Sequence, residues 1–248
     1  MPRRSAVIRR LRIALVAVVV VIVLAVVAFL VWANMVMQGD RDAAVEVWTN
    51  PHVEVTSTDH SVVLAPTGVA SGTGLVFIPG AKVDPYAYMY KLSGIVERTG
   101  ATVVITEPTL NLAFFDQRPL STFTDDAPGV DEWFVGGHSL GGVRACMLAD
   151  DPAVSGLVLF GSYCATDLTG SGLDVLSIAG SEDGLSTPQK IADARGMLPE
   201  DAELVEIEGL NHAAFGDYGV QPGDNAATIG RDDARTGITD ALARVLTR

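Results

Sequence analysis

The chain has 248 residues, enough for one membrane segment and one globular domain of about 200 residues. Hydrophobic residues make up 48% of it, and the formal net charge at pH 7 is −13. Five of the first twelve residues are arginines and no acid precedes Asp40, whereas 12 basic and 30 acidic residues give the rest of the chain a net charge of −18. Such an acidic surface, without a basic stripe, repels nucleic acid and excludes it as a partner.

A run of 21 apolar residues, Ile13–Ala33, follows the arginines. At about 1.5 Å per residue it is long enough to cross the hydrocarbon core of a bilayer as a helix. The positive-inside rule then keeps residues 1–12 in the cytoplasm and places the rest outside, which predicts a single-pass cell-membrane protein. The alternative is a cleaved signal peptide and a secreted protein beginning at Asn34, although the run exceeds the usual signal core of about 7–15 residues.

Residues 34–44 form a predicted polar linker, and residues 45–248 form the predicted domain, in which strands and helices alternate. In chain order the predicted elements are the hairpin strands Val53–Thr58 and Ser61–Pro66, strand Leu75–Pro79, helix Pro85–Arg98, strand Ala101–Thr106, an irregular segment Glu107–Asp131, strand Trp133–Gly136, helix Leu140–Ala149, strands Leu157–Gly161 and Val175–Ala179, helix Pro188–Met197, strand Glu203–Ile207 and helix Asp232–Leu246. This alternation predicts an α/β fold with a mostly parallel, doubly wound sheet. Catalytic residues on such a sheet belong at the carboxyl ends of its strands.

The segment Gly137–Gly141 has the form G-x-S-x-G between a predicted strand and a predicted helix. A serine nucleophile projects from such a sharp strand-to-helix turn, and the glycines leave room for it. The free N–H groups of the helix N-terminus lie where negative charge develops during acyl transfer. Ser139 is therefore the predicted nucleophile, and a glycine-rich turn with an incidental serine is the alternative.

A serine hydroxyl needs a general base, and the chain has four histidines. His52 and His60 lie on the early hairpin, and His138 is adjacent to Ser139, so its side chain should point elsewhere. His212 remains, in a loop that follows the strand ending at Ile207. We therefore expect His212 to be the base.

The acid that orients the base should follow an intermediate strand. Glu182 and Asp183 both follow the strand Val175–Ala179. Asp183 is favoured because it lies three residues beyond Gly180 in the turn, and Glu182 is the alternative. A solvated turn charge is the non-catalytic interpretation of either.

Acyl transfer also needs two backbone N–H donors for the oxyanion. The sequence places one at Leu140, directly after the serine. The second is expected in the turn after the first parallel strand, at Ala81, with Lys82 as the next choice. An ordinary strand-to-helix turn would look the same in sequence.

These motifs resemble the α/β-hydrolase superfamily from about Leu75 onwards, and within it a small, lidless bacterial group related to dienelactone hydrolases. The segments that carry the resemblance are Phe77–Val83, Asn111–Phe115, Gly136–Gly142 and Gly209–Ala213. The resemblance implies an α/β-hydrolase fold. Serine stands where dienelactone hydrolases have cysteine, so their substrate is not implied. The connection from Gly161 to Asp174 is too short for a helical cap.

The predicted function is hydrolysis of a carboxylic ester or related acyl bond, with a small-molecule substrate and without a metal or cofactor. Acyl transfer to an alcohol would use the same residues, and a non-catalytic binding domain on this fold is a further alternative. Residues Asn111–Phe115 either line the substrate pocket or pack on the sheet.

The two cysteines, Cys146 and Cys164, are predicted to stay unpaired. Cys146 lies two turns into the helix after Ser139 and moves away from the catalytic edge, whereas Cys164 follows a strand and should remain at that edge. Their Cα atoms would then exceed the limit of about 7 Å for a disulfide.

Overall fold

The computed structural model describes residues 2–247, with side chains from Val7 to Thr247, and it divides into two units, Met1–Met35 and Val36–Arg248. The first unit is a single helix, α1 (Pro2–Ala33). Its part from Val7 to Ala33 is long and apolar enough to span a membrane, a property that signal sequences share. The side chains of Arg3 and Arg4, two of the five arginines predicted to face the cytoplasm, lie outside the described residues.

The second unit is built on one eight-stranded sheet. Its strands are β1 (Val53–Ser57), β2 (Ser61–Pro66), β3 (Thr73–Ile78), β4 (Thr102–Thr106), β5 (Glu132–His138), β6 (Val154–Phe160), β7 (Asp174–Gly180) and β8 (Glu203–Ile207). They lie in the order β1-β2-β4-β3-β5-β6-β7-β8. β2 is antiparallel to β1 and β4, and all other neighbours are parallel. The predicted fold class, a mostly parallel sheet, is confirmed.

Helices cover both faces of this sheet. They are α2 (Arg41–Trp48), α3 (Met89–Thr99), α4 (Ser121–Thr124), α5 (Leu140–Leu148), α6 (Pro188–Asp193) and α7 (Arg231–Leu246). Helices α2, α3 and α7 contribute to the core on one face, and α4 and α5 contribute to the core on the other. Strands between two such layers are buried on both sides, which explains why β3 is a continuous run of buried residues.

Helix α2 begins at Arg41, inside the stretch predicted as a linker. The carboxylate of Asp40 caps it by accepting a hydrogen bond from the Ala43 N–H at 2.9 Å, and Ala43 and Val47 are buried in the core. Just before it, Met37 pairs with Val83 in a parallel bridge. Two buried positions four residues apart are too weak a periodic pattern to predict a helix of eight residues.

Over the residues that the structure describes, no cap domain covers the carboxyl edge of the sheet. The connection from β6 to β7, residues 161–173, contains no helix. The absence of a cap domain, expected from the length of this connection, is confirmed.

The prediction of unpaired cysteines is wrong, because Cys146 and Cys164 form a disulfide with a Cα–Cα distance of 5.6 Å. The chain does not stay at the catalytic edge after β6. It turns at Gly161, which has a left-handed conformation (φ 48°), and Ser162 packs against the start of α5, donating a hydrogen bond to the Ser139 carbonyl at 2.7 Å. Cys164 is thereby carried to the second turn of α5, where Cys146 lies.

We expect no free thiol in monomeric protein that is denatured without reductant. Replacing Cys146 and Cys164 together by serine should lower the free energy of unfolding by about 3 kcal/mol, because the bridge no longer restricts the unfolded chain. Thiol titration and denaturant unfolding measure the two quantities, with Met147→Ala, an exposed neighbour on the same helix, as the control. Two free thiols per chain would contradict the pairing.

Candidate active site

Ser139 lies in the turn between β5 and α5, with φ 52° and ψ −120°. This conformation costs a non-glycine residue about 1–3 kcal/mol, so the surroundings must hold it in place. The Ser139 N–H donates to the Phe160 carbonyl at 3.0 Å, and its own carbonyl accepts the bond from Ser162. The end of β6 and the residues after it therefore hold the turn from one side.

The loop after β3 holds the same turn from the other side. A Cβ atom on Gly141 would lie 2.0 Å from the Ile78 carbonyl oxygen and 2.5 Å from that of Pro79. Only glycine permits this approach. The first turn of α5 is consequently packed directly against the loop in which the sequence predicts the second oxyanion donor.

Asp183 and His212 meet at the carboxyl edge, where the loops after β7 and β8 come together. The His212 Nδ1 and the Asp183 Oδ2 are 2.8 Å apart, and both residues are almost completely buried, at 1% and 2% exposure. The other carboxylate oxygen, Oδ1, accepts hydrogen bonds from the N–H groups of Leu185 at 2.8 Å and Ser186 at 2.6 Å. These three bonds hold the carboxylate in one orientation, with its Oδ2 directed at the imidazole.

Glu182, the alternative acid, contributes differently. Its backbone N–H donates to the Leu210 carbonyl at 2.9 Å, and within the described residues its side chain has no contact with His212. The tight turn directs the carboxylate of Asp183 inward and leaves that of Glu182 partly exposed.

Gly161 places the Asp183–His212 pair beside the turn that carries Ser139. A Cβ atom at Gly161 would lie 2.9 Å from Asp183 Oδ2 and 3.2 Å from His212 Nδ1. Gly161 follows Phe160, which accepts the Ser139 N–H bond. In the part of the chain that the structure describes, the Ser139 hydroxyl and the His212 Nε2 do not form a hydrogen bond.

The predicted oxyanion donors differ in what they already bind. The Lys82 N–H donates to the Asn111 carbonyl at 2.8 Å, and the Gly80 N–H donates to the Tyr88 hydroxyl at 3.0 Å. Among the described residues the Ala81 N–H has no hydrogen-bond partner. The Leu140 N–H opens α5 and has no partner within that helix. The structure thus leaves Leu140 and Ala81 as the available donors.

Strained backbone conformations occur in the three loops that follow β3, β4 and β5. Within the described residues, the non-glycine residues with positive φ are Lys82 (59°), Leu110 (57°), Asn111 (56°) and Ser139 (52°). The Lys82–Asn111 hydrogen bond joins two of them. Strained residues collect at sites where the surroundings impose a precise geometry, which agrees with a functional site here.

Asp224 was not identified from the sequence. Its Oδ1 accepts the Gly184 N–H at 3.0 Å, and its Oδ2 accepts the Ala213 N–H at 2.8 Å. These are the residues directly after Asp183 and His212, so one carboxylate joins the two loops. No motif surrounds Asp224 in the sequence, and nothing there could have indicated this contact.

A cavity of about 600 Å³ is lined in part by residues on both sides of His212, and Ser139 is not among its lining residues. Lys91 and Asp217 line it and form a buried ion pair with a 2.5 Å contact. Burial lowers the pKa of Lys91 and raises that of Asp217, and the attraction between the partners opposes both shifts. The ion pair connects α3 to the segment that follows His212 and thereby stabilises the His212 loop.

The comparisons with known proteins identify the family and the fold. The model of the alpha/beta hydrolase family matches residues 74–236, more than half of the chain. The chain belongs to the α/β-hydrolase family. No curated protein matches the chain in sequence.

Solved α/β-hydrolase structures share the fold at low sequence identity. An esterase from Pyrobaculum calidifontis superposes with a TM-score of 0.58 at 15% identity, over 83% of this chain and 88% of its own. A serine hydrolase without a lid from Xanthomonas campestris has a TM-score of 0.54 at 14% identity, over 80% and 97%. An α/β-hydrolase enzyme from a sediment metagenome of the Mar Chica lagoon in Morocco has a TM-score of 0.52 at 21% identity, over 65% and 90%. At these identities the likeness establishes the fold.

Asp183→Asn should lower turnover of a simple ester such as p-nitrophenyl acetate about 10³-fold or more, because an amide cannot stabilise the imidazolium of His212. Glu182→Gln is the matched control and should stay within about twofold of the unchanged protein. Steady-state kinetics on both variants separate the two carboxylates. If Glu182→Gln is the crippled variant, the assignment of the acid is wrong.

Proposed function

We propose that the protein is a serine hydrolase that cleaves a carboxylic ester or a related acyl bond through an acyl-enzyme on Ser139. The observation that carries the proposal is the buried Asp183–His212 hydrogen bond beside a strained serine turn. Family membership alone would leave the activity open, since one fold supports many functions. A buried carboxylate–imidazole pair at the carboxyl edge is what nucleophilic activation of a serine requires.

The reaction follows from the roles of three side chains. His212 Nε2 accepts the proton of the Ser139 hydroxyl while the oxygen attacks the carbonyl carbon of the ester. The tetrahedral intermediate then collapses, and the alcohol leaves with the proton from His212. Water then attacks the acyl-enzyme while the same nitrogen accepts its proton. The second tetrahedral intermediate collapses, the carboxylic acid is released, and the Ser139 oxygen recovers its proton from His212. Asp183 accepts the Nδ1–H bond throughout and stabilises the imidazolium.

The negative charge of the tetrahedral intermediate needs preorganised donors, and we assign them to the N–H groups of Leu140 and Ala81. Ala81 is preferred over Lys82 because the Lys82 N–H is already bound to Asn111. A free N–H near the N-terminus of α5 stabilises an oxyanion without reorganisation during the reaction.

The substrate we propose is a small or protruding ester. The edge of the sheet has no cap, which favours access over enclosure of a long acyl chain. Phe114 is 55% exposed and belongs to a turn that packs against α5. We expect it to contact the apolar part of an ester, and the esterase from Pyrobaculum calidifontis offers a functional parallel.

Ser139→Ala should fold normally and lose turnover by about 10³-fold or more, because no other group replaces the nucleophile. Ester hydrolysis and labelling by a fluorophosphonate probe measure the loss. Ser121→Ala, which removes the hydroxyl of an exposed serine at the start of α4, is the control and should retain labelling. Labelling of the Ser139→Ala variant would refute the proposal.

We also propose that α1 anchors the protein in the cell membrane, with residues 1–12 in the cytoplasm and the hydrolase domain outside. The apolar helix and the arginines before it favour this orientation. The Cys146–Cys164 disulfide adds independent support, because disulfides persist in oxidising compartments outside the cytoplasm.

Protease added to intact cells should remove the domain and leave a short N-terminal fragment with the membrane. Immunoblots with tags at each end of the chain detect both parts, and a cytoplasmic marker protein controls for cell lysis. A full-length chain untouched by protease in intact cells would contradict the orientation. A mature protein recovered from the medium and beginning at Asn34 would instead establish a cleaved signal sequence.

A further inference from the structure

His138 precedes Ser139, and its ring lies beneath the catalytic edge, buried with Tyr88, Phe215 and Tyr218. Its centroid is 4.3 Å from that of His212. A second imidazole next to the proposed base has no part in the proton transfers described above. Its contacts point to another task.

The Tyr88 hydroxyl joins His138 to the loop after β3. It is fully buried and lies 3.0 Å from the Gly80 N and 2.9 Å from the His138 Nδ1. A backbone N–H can only donate, so the hydroxyl oxygen accepts from Gly80. The hydroxyl proton is then satisfied only by donating to Nδ1, because Tyr88 has no other acceptor among the described residues.

This arrangement favours one tautomer of His138. Nδ1 accepts and is unprotonated, so the neutral ring carries its proton on Nε2. Burial, and then the neighbouring His212, hold the pKa of His138 well below its ordinary value. Burial also raises the pKa of Tyr88, which keeps the hydroxyl proton in place. The ring therefore stays neutral when His212 gains a proton.

The chain of bonds leads to Gly80, and the peptide groups on both sides of this residue are held. Tyr88 holds the Gly80 N–H, the Gly80 carbonyl accepts from the Val83 N–H at 3.2 Å, and Asn111 holds the Lys82 N–H. In a trans peptide the N–H points opposite to the carbonyl, so the direction of the Ala81 N–H is set by its neighbours.

We propose that Tyr88 and His138 are positioning residues that orient the Ala81 N–H for the oxyanion, a role that rests on the proposed function of this site. Neither side chain touches the substrate. His138 orders the Tyr88 hydroxyl, and Tyr88 fixes the Pro79–Gly80 peptide through the Gly80 N–H. With Gly80 held, the adjoining Gly80–Ala81 peptide directs the free Ala81 N–H. Donors that are already oriented stabilise the transition state without reorganisation.

The kinetic test uses the full-length protein in detergent, with activity normalised to the sites that a fluorophosphonate probe titrates. Tyr88→Phe should lower kcat for p-nitrophenyl acetate about 10- to 100-fold with KM within about twofold, because the donor is misplaced for the transition state rather than for substrate binding. Tyr218→Phe is the matched control. This buried tyrosine contacts the same ring, but its hydroxyl bonds to Gln221, so kcat should be unchanged.

Two replacements of His138 test the other end of the network. His138→Leu should reproduce the loss of kcat seen in Tyr88→Phe. His138→Asn should recover most of it, because the amide oxygen can accept the Tyr88 proton near the position of Nδ1. A normal kcat in Tyr88→Phe would overturn the proposal, and so would an equal loss in Tyr218→Phe, which would indicate a packing effect.

Nitrogen-15 NMR of labelled histidines tests the network without relying on activity. We expect His138 to keep an unprotonated Nδ1 and a protonated Nε2 from about pH 5 to 9, with the Nδ1 resonance shifting in Tyr88→Phe. A proton on Nδ1 in the unchanged protein would overturn the proposal. If the unchanged protein hydrolyses no ester, the proposed function fails, and the NMR result alone decides the network.

Discussion

The backbone of Ser139 is the constraint on which the site depends. Its strained conformation, with a positive φ, is held by the bonds to Phe160 and Ser162 and by the contact of Gly141 with the loop after β3. The end of β6, the start of α5 and the proposed oxyanion loop therefore all pack around this turn. A larger residue at Gly141 would push α5 away from that loop. Ser139 could then keep its strained conformation only if the loop and the end of β6 moved as well.

The loops at the carboxyl edge are joined to one another, which compensates for the missing cap. Asp224 connects the residues that follow Asp183 and His212. The Lys91–Asp217 ion pair connects the His212 loop to α3. A cap would exclude water and order the loops on closing. In this protein, side-chain hydrogen bonds already order them, so an open edge and a preorganised site are compatible.

The Cys146–Cys164 disulfide lies close in the chain to the residues that hold the Ser139 turn. Cys164 follows Ser162, whose hydroxyl holds the Ser139 carbonyl, and Cys146 lies in the helix that Ser139 precedes. The bridge therefore restrains both partners of that hydrogen bond. Disulfides of this kind persist in oxidising environments and are rare where thiols are kept reduced.

Local patterns in the sequence determined the apolar helix, the alternation of strands and helices, the serine turn and the chain order of Ser139, Asp183 and His212, because each depends on neighbouring residues. The tertiary structure alone decided which carboxylate contacts His212, that the Lys82 amide is occupied, that the cysteines pair, and that α2 belongs to the domain. Each of these depends on the direction a loop takes after its strand, or on packing between segments far apart in the chain. A single sequence contains no signal for either feature. The same residues would give the same prediction if the loop after β6 had stayed at the carboxyl edge instead of folding onto α5.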